Sequence, residues 1–326
     1  MKRVIALVLS LSLLAVGLVG ATAVQADTTI TKSVSTTEAE LGERVEVTLV
    51  VNADQAPLTV TDILPDELSY VPDTFQIDGV DVTPDTDGNN ISCELAAVGT
   101  YTITFSAQVT SVEGLSTVVT NEAEVANVTD VLASDSTNIL LLPYDGFTKV
   151  FTIVYEDNPD SNVTVGELVQ GNMTINFTNN FSWPITDARI SDNLGAEWGI
   201  AGDGIDNDRN TVVDDGDAGD LSAAYNIIPA GSDLDLRLTG KTKKVHLKLS
   251  NIDVASGDSA LCVLGIFTDY NPGKGKTPGI HSYSSPGTYE INSGAVLKFT
   301  DPDPDGPGFQ LSAHTPSIDV TVYDAE

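Results

Sequence analysis

Tyr101-Thr-Ile-Thr-Phe-Ser-Ala-Gln-Val109 alternates apolar and polar residues throughout. Successive side chains on a strand point to opposite faces, so a strict period of two marks a strand with one face buried and one wet. Val45-Glu-Val-Thr-Leu-Val-Val51, rich in β-branched residues, alternates in its first half; Thr117 to Val128, Met173 to Thr178 and Ile318 to Tyr323 read the same way. After residue 26 no ten-residue window carries helical periodicity. Short strands separated by Gly, Pro, Asn and Asp predict an all-β sandwich or barrel.

The order of landmarks occurs twice. Gly42-Glu-Arg-Val-Glu-Val-Thr-Leu-Val-Val-Asn52 opens the first copy, followed by Pro57-Leu-Thr-Val-Thr-Asp62-Ile-Leu64, a strand led by Gly99, and Thr120-Asn121-Glu-Ala123-Glu-Val125. Gly166-Glu-Leu-Val169 opens the second, followed by Thr174-Ile-Asn-Phe-Thr-Asn179, Pro184 to Leu194 with Asp192 inside it, a strand led by Gly257, and Ile291-Asn292-Ser-Gly-Ala295-Val296. The Gly-to-Asp interval is 20 residues in one copy and 26 in the other. A single sheet leaves its apolar face wet, so each copy needs a second sheet to cover it; about 100 residues and seven strands suffice. The expected organisation is a first sandwich over 27–134 and a second, larger one over 135–326, enlarged by loop insertions, with 135–143 as a linker or as the opening strand of the second.

Thr61-Asp62-Ile-Leu-Pro65, followed by Leu68-Ser-Tyr70-Val71, and the late Asn121-Glu-Ala123 strand resemble the immunoglobulin-like repeat of bacterial and archaeal cell-surface proteins. That resemblance covers most of 28–128. The second copy is divergent: Ser191-Asp192-Asn-Leu194 lacks the Pro. The resemblance implies two immunoglobulin-like antiparallel β-sandwiches in tandem, an extracellular structural or adhesive role, and no catalysis.

Residues 1–26 read as an export signal. Lys2 and Arg3 precede an apolar run from Val4 to Val19, and Val24-Gln25-Ala26 fits a small-x-small cleavage site before Asp27. The run of 16 residues is short for a bilayer span of about 20. No later stretch is long enough, and the C-terminus carries no hydrophobic tail. The expected product is secreted and extracellular, either released or held at the cell surface by non-covalent contacts, with no direct membrane span.

Beyond the signal, 47 acidic residues face 13 basic ones, a net charge of −34. Such a surface repels nucleic acid and anionic membranes and attracts divalent cations. With 41% hydrophobic and 19% charged residues the chain can fill a core. Asp206-Asn-Asp208-Arg-Asn210-Thr-Val212-Val-Asp214-Asp-Gly-Asp217 carries the sharpest chemical signal. Counted from Asp206, side-chain oxygens fall at positions 1, 3, 5, 9 and 12, with the Val212 carbonyl at 7, the ligand schedule of a twelve-residue calcium loop. Thr211 replaces the usual Gly at position 6, and Asp217 the usual Glu at 12. The stretch 203–217 more closely resembles the Asp-Gly-Ile-Asp-Asn-Asp repeats of secreted bacterial proteins. The expected cofactor is Ca2+, and the other reading is a solvated acidic turn. Asp301-Pro-Asp303-Pro-Asp305-Gly306 fails the schedule at Phe309 and Ser312 and reads as a rigid turn.

Asn90, Asn127, Asn162, Asn172, Asn176 and Asn180 match the glycosylation pattern. Cys93 and Cys262 are either one disulfide, which export permits, or two buried thiols in separate domains. Lys241, Lys243, Lys244 and Lys248 flank a strand with Val245, Leu247 and Leu249 on one face; they form either a solvated edge or a dock for an acidic patch of a second copy. Trp183, Trp198, Tyr270 and Tyr283 either line a sugar site or fill the core. His246, His281 and His314 are scattered, and no nucleophile elbow, zinc pair or phosphate loop is present, so the chain does not read as an enzyme. The reading is a structural protein that assembles with copies of itself, or with other surface proteins, into a layer, sheath or filament. The alternative is an adhesin or carbohydrate-binding module whose partners are glycans.

Overall fold

A computed structural model describes residues 27–153, 163–164, 170–193, 198–200, 233–239, 244–268 and 285–324. Every regular element among them is a strand, and the strands form two sandwiches in tandem, as the alternation predicts.

In the first unit Arg44–Ala53 lies between Thr29–Val34 and Gly99–Val109, all antiparallel. Val45, Val47, Leu49 and Val51 are essentially unexposed while Arg44, Glu46, Val50 and Asn52 face out, the period-two pattern of the sequence. Register sets Leu49 opposite Ile103 and Val47 opposite Phe105, and Phe105 stacks on Phe75 with centroids 5.9 Å apart. The covering sheet runs in the order Glu38–Ala39, Val131–Leu141, Thr117–Ala126, Leu58–Ile63, Asn90–Leu95, Asp85–Asp87. It contributes Leu58, Val60, Ile91, Leu95, Val125, Ile139 and Leu141 to the core. Burying each such side chain is worth about 1.5–3 kcal/mol.

One boundary moves. Val131–Leu141 pairs along its length with Thr117–Ala126, from Thr117 opposite Leu141 to Ala126 opposite Val131. The expected division after residue 134 therefore cuts a strand, and residues 135–141 complete the first sandwich instead of linking to the second or opening it. The alternation that identifies Ile139 and Leu141 as inward-facing carries no information about which sheet they join.

The second unit repeats the order. Phe147–Ile153, Gln170–Thr178 and Ser259–Thr268 stand where Thr29–Val34, Arg44–Ala53 and Gly99–Val109 stand in the first, with Trp198–Ile200 at the edge. Opposite them Val296–Thr300, Ile185–Asn193, Lys244–Val254 and Asp233–Thr239 follow the sequence of Thr117–Ala126, Leu58–Ile63, Asn90–Leu95 and Asp85–Asp87. A three-stranded sheet of Val163–Thr164, Ile318–Tyr323 and Gly287–Asn292 completes the unit. Met173, Ile175, Phe177, Ile190, Leu247, Leu249 and Phe299 fill its core, and Phe177 stacks on Phe299 at 5.9 Å.

The units abut directly. Ser111–Val112 adds to Gln310–His314 as a short parallel strand, with Ser312 N donating to Thr110 O at 2.8 Å. The Gln108 amide donates to Asp301 Oδ2 at 2.8 Å, a buried contact between units. Gly114 lies so close to Pro316 that a Cβ there would sit 2.1 Å from its backbone nitrogen.

Candidate functional site

A lysine in the middle of an inward-facing strand phase is the feature that singles out a site in each unit. In Thr29–Val34 the residues facing the core are Ile30 and Lys32; in Phe147–Ile153 they begin Phe147, Lys149. Both lysine side chains are fully buried. Each meets an aspartate from the opposite sheet that also occupies an apolar phase: Asp62 after Leu58 and Val60, Asp192 after Ala188 and Ile190. Lys32 Nζ donates to Asp62 Oδ2, and Lys149 Nζ donates to Asp192 Oδ2 at 3.0 Å.

A third residue is common to both. Asn121, wholly buried, occupies the inward phase of Thr117–Ala126 between Val119 and Ala123. It neighbours Asp62, because Ala123 is the register partner of Asp62. Asn292 ends Gly287–Asn292, 3% exposed, and its Nδ2 donates to Asp192 Oδ2 at 3.3 Å. Each lysine also donates to the main-chain carbonyl that follows this asparagine: Lys32 to Glu122 O at 3.3 Å, Lys149 to Ser293 O at 2.8 Å. The amine is thus held at the backbone next to the asparagine in the same way in both units, although the sequence separations differ (30 and 43 residues from Lys to Asp).

Electrostatics follows from burial. Loss of solvent pushes the Asp62 carboxyl above its ordinary value, against the pull of Lys32, and pushes the Lys32 amine below its own, against the pull of Asp62. Asp192 and Lys149 shift in the same directions for the same reason. Both pairs are therefore biased toward a neutral amine beside a neutral carboxyl. Hydrogen bonding is incomplete in a matching pattern. Asp62 Oδ1, Asp192 Oδ1 and Asn292 Oδ1 lack partners, as do both side-chain atoms of Asn121. A loose side-chain contact from Asn121 pulls the Asp62 carboxyl back down, against burial, but its geometry falls short of a formed hydrogen bond. An orphaned buried polar group costs about 1–3 kcal/mol, so the five orphaned atoms of these clusters are a sizeable load.

The sequence landmarks include Asp62, Asp192, Asn121 and Asn292 but not the lysines. The signal that finds Lys32 and Lys149 is phase: Ile30-x-Lys32-x-Val34 and Phe147-x-Lys149-x-Phe151 each put one cation into an apolar row.

The six expected calcium ligands, Asp206, Asp208, Asn210, Val212, Asp214 and Asp217, lie outside the described residues. So do Asn162, Tyr270, Tyr283, Lys241 and Lys243. Asn90 and Asn180 are exposed; Asn127 and Asn176 are half-buried, and Asn127 Oδ1 accepts from the Thr129 and Asp130 amides in a turn. Asn172 is on Gln170–Thr178. Trp183 is 39% exposed. Asp301, Asp303 and Asp305 form a turn in which the Asp301 and Asp303 carboxylates accept from their own backbone, at Asp303 N and Asp305 N. Cys93 and Cys262 are free thiols in different units, and burial pushes them up to about 11 and about 12. Among the described residues no helix is long and apolar enough to cross a membrane.

No protein-family model and no curated protein matches the chain. Solved structures align at low similarity. The major pilin subunit BcpA of Bacillus cereus is 12% identical over 92% of this chain and 69% of its own, with a TM-score of 0.31. The Enterococcus faecalis adhesin ACE is 12% identical over 90% and 96%, with a TM-score of 0.27. The S. aureus collagen adhesin CNA is 10% identical over 92% and 96%, with a TM-score of 0.23. At these scores the likeness carries no inference about this chain's activity.

Proposed function

We propose that the chain is an exported structural protein of the cell surface, assembling with copies of itself or with other surface proteins into a layer, sheath or filament. The observation that carries this reading is the pair of fully buried Lys–Asp–Asn clusters. Each ties the two sheets of one sandwich together, and they stand in units that abut through a shared strand and a buried hydrogen bond. Investment in cross-sheet ties suits a part that must resist being pulled open. The strongly acidic surface suits a place where divalent cations are plentiful. Electron microscopy of the purified chain from Asp27, with sedimentation in parallel, tests it. Ordered polymers support the reading; monomers at every concentration and calcium level, binding a glycan on an array, would replace it with an adhesin.

We also propose that Asp206, Asp208, Asn210, Val212, Asp214 and Asp217 hold Ca2+ in the weak extracellular range, roughly 0.1–1 mM. Four carboxylates at ligand positions repel one another without the metal, so binding orders the loop. The melting temperature in calcium should exceed that in EDTA; identical values would remove the cation from the account.

A further inference from the structure

We propose that each cluster closes a covalent bond: the Lys32 amine condenses with the Asn121 carboxamide, and the Lys149 amine with the Asn292 carboxamide, forming one amide per unit and releasing ammonia. Asp62 and Asp192 move the protons. This goes beyond the assembly reading and does not depend on it, since a chain that never polymerises can still carry both bonds.

Three requirements of the reaction are met by residues already placed. The nucleophile must be an unprotonated amine, and desolvation is a standard way to obtain one from lysine. Both amines are fully buried and biased toward the neutral form. The electrophile must be held beside it. Each amine is hydrogen-bonded to the carbonyl of the residue following the asparagine, so the carboxamide is within one residue of the nucleophile in both units. The proton carrier must touch the amine and keep an oxygen free. In both clusters Oδ2 of the aspartate accepts from the lysine while Oδ1 has no partner.

The step balances without an outside reagent. The neutral amine attacks Cγ of the asparagine while the protonated aspartate gives its proton to the carboxamide. The C–Nδ2 bond breaks, and the nitrogen departs as ammonia with that proton. The aspartate regains a proton from the attacking nitrogen, which ends with one hydrogen in the new amide. Nothing is oxidised or reduced, and the aspartate finishes as it began. Asparagine, and not aspartate, is assigned as the acceptor because the reaction needs one acid–base group and one electrophile. If the aspartate were consumed, only a carboxamide would remain, and a carboxamide cannot shuttle protons at ordinary pH. Exclusion of water from the cluster protects the product.

Recurrence is the strongest support. Two units with different loop lengths preserve the same three residue types, the same amine-to-carbonyl hydrogen bond and the same orphaned aspartate oxygen.

Intact mass spectrometry of the purified, denatured chain tests the proposal. The mass should fall short of the sequence mass by about 17 Da per bond, about 34 Da in all, the mass of the ammonia lost. Digestion should yield one branched peptide joining the Lys32 and Asn121 segments and another joining those of Lys149 and Asn292. Asp62→Ala should restore about half the deficit and abolish only the first branched peptide. The wild-type peptide map stands by itself if that variant fails to fold. A full sequence mass overturns the proposal. A deficit of about 18 Da per bond, with the branch on Asp62 or Asp192, overturns the assignment of asparagine. A single deficit refutes it for the unit whose branched peptide is missing.

Discussion

Replacing Lys32 by Met and Asp62 by Leu separates a covalent tie from a buried ion pair by the sign of the stability change. Both side chains are fully buried; Met matches Lys in volume, Leu keeps the branching of Asp with bulkier methyl ends, and neither carries a charge. For an ordinary buried pair such an exchange is neutral or stabilising by about 1–4 kcal/mol, because the desolvation cost disappears. A covalent Lys32–Asn121 link also restrains the unfolded chain. It closes a loop from residue 32 to residue 121, for which the chain-entropy relation gives about 4.6 kcal/mol at 25 °C. Losing that restraint while gaining the apolar exchange leaves a net loss of roughly 1–5 kcal/mol. Scanning calorimetry of the chain from Asp27 should resolve the first unit's transition. For a unit of this size the loss moves its midpoint down by on the order of 5–20 °C. The second unit's transition should stay in place, because Lys149 and Asp192 are untouched. An unchanged or higher midpoint for the first unit would refute the covalent account and leave a plain ion pair.

Two further outcomes follow from the packing. Native protein at pH 8 should resist alkylation of Cys93 and Cys262, because burial holds both thiols protonated up to about 11 and about 12; full labelling should appear on unfolding, and rapid native labelling would contradict their burial. Gly294→Ala should destabilise the second unit by at least about 1–3 kcal/mol, read by denaturant midpoint, since the new Cβ would fall 1.8 Å from the Thr315 carbonyl oxygen; an unchanged midpoint would mean that this close approach is not maintained in solution.

The sandwich class is legible in the sequence because a half-buried strand writes its two faces into alternate residues, as in Val45, Val47, Leu49 and Val51. The duplication is legible because Asp62 with Asn121, and Asp192 with Asn292, hold equivalent positions. The partner of Val131–Leu141 is not legible: alternation reports which face is inward, and pairing depends on which edge the chain returns to. The lysines are hidden for another reason. Charge on an acidic chain reads as surface, and only the phase shared with Ile30, or with Phe147, shows that Lys32 and Lys149 point inward. The acidic loop at 203–217 advertises chemistry loudly because it gathers six aspartates into fifteen consecutive residues; the buried clusters advertise little because each is three polar residues dispersed over three strands.

The position of the first cluster also explains what a tie there can do that hydrogen bonds cannot. The first unit begins at Thr29–Val34 in one sheet and ends at Val131–Leu141 in the other, so tension along the chain would peel the sheets apart from these two strands. Sheet hydrogen bonds break one after another under such a load, each worth only about 0.5–1.5 kcal/mol net. Lys32 lies on the first strand. Asn121 lies on the strand paired with the last one, opposite Thr137. A bond between them carries the load from residue 32 to residue 121 and out through the antiparallel pair Thr117–Ala126 and Val131–Leu141. Arg44–Ala53, Leu58–Ile63, Asn90–Leu95 and Gly99–Val109 then lie outside the load path. About 300 Å of chain, at roughly 3.4 Å per residue, would stay folded or at least tethered. Lys149 on the opening strand of the second unit, and Asn292 near its closing strands, place the second tie in the same relation to the chain. A fibre or layer built from such units would bear tension without lengthening, which is why the clusters, more than any surface feature, favour a structural role over a binding one.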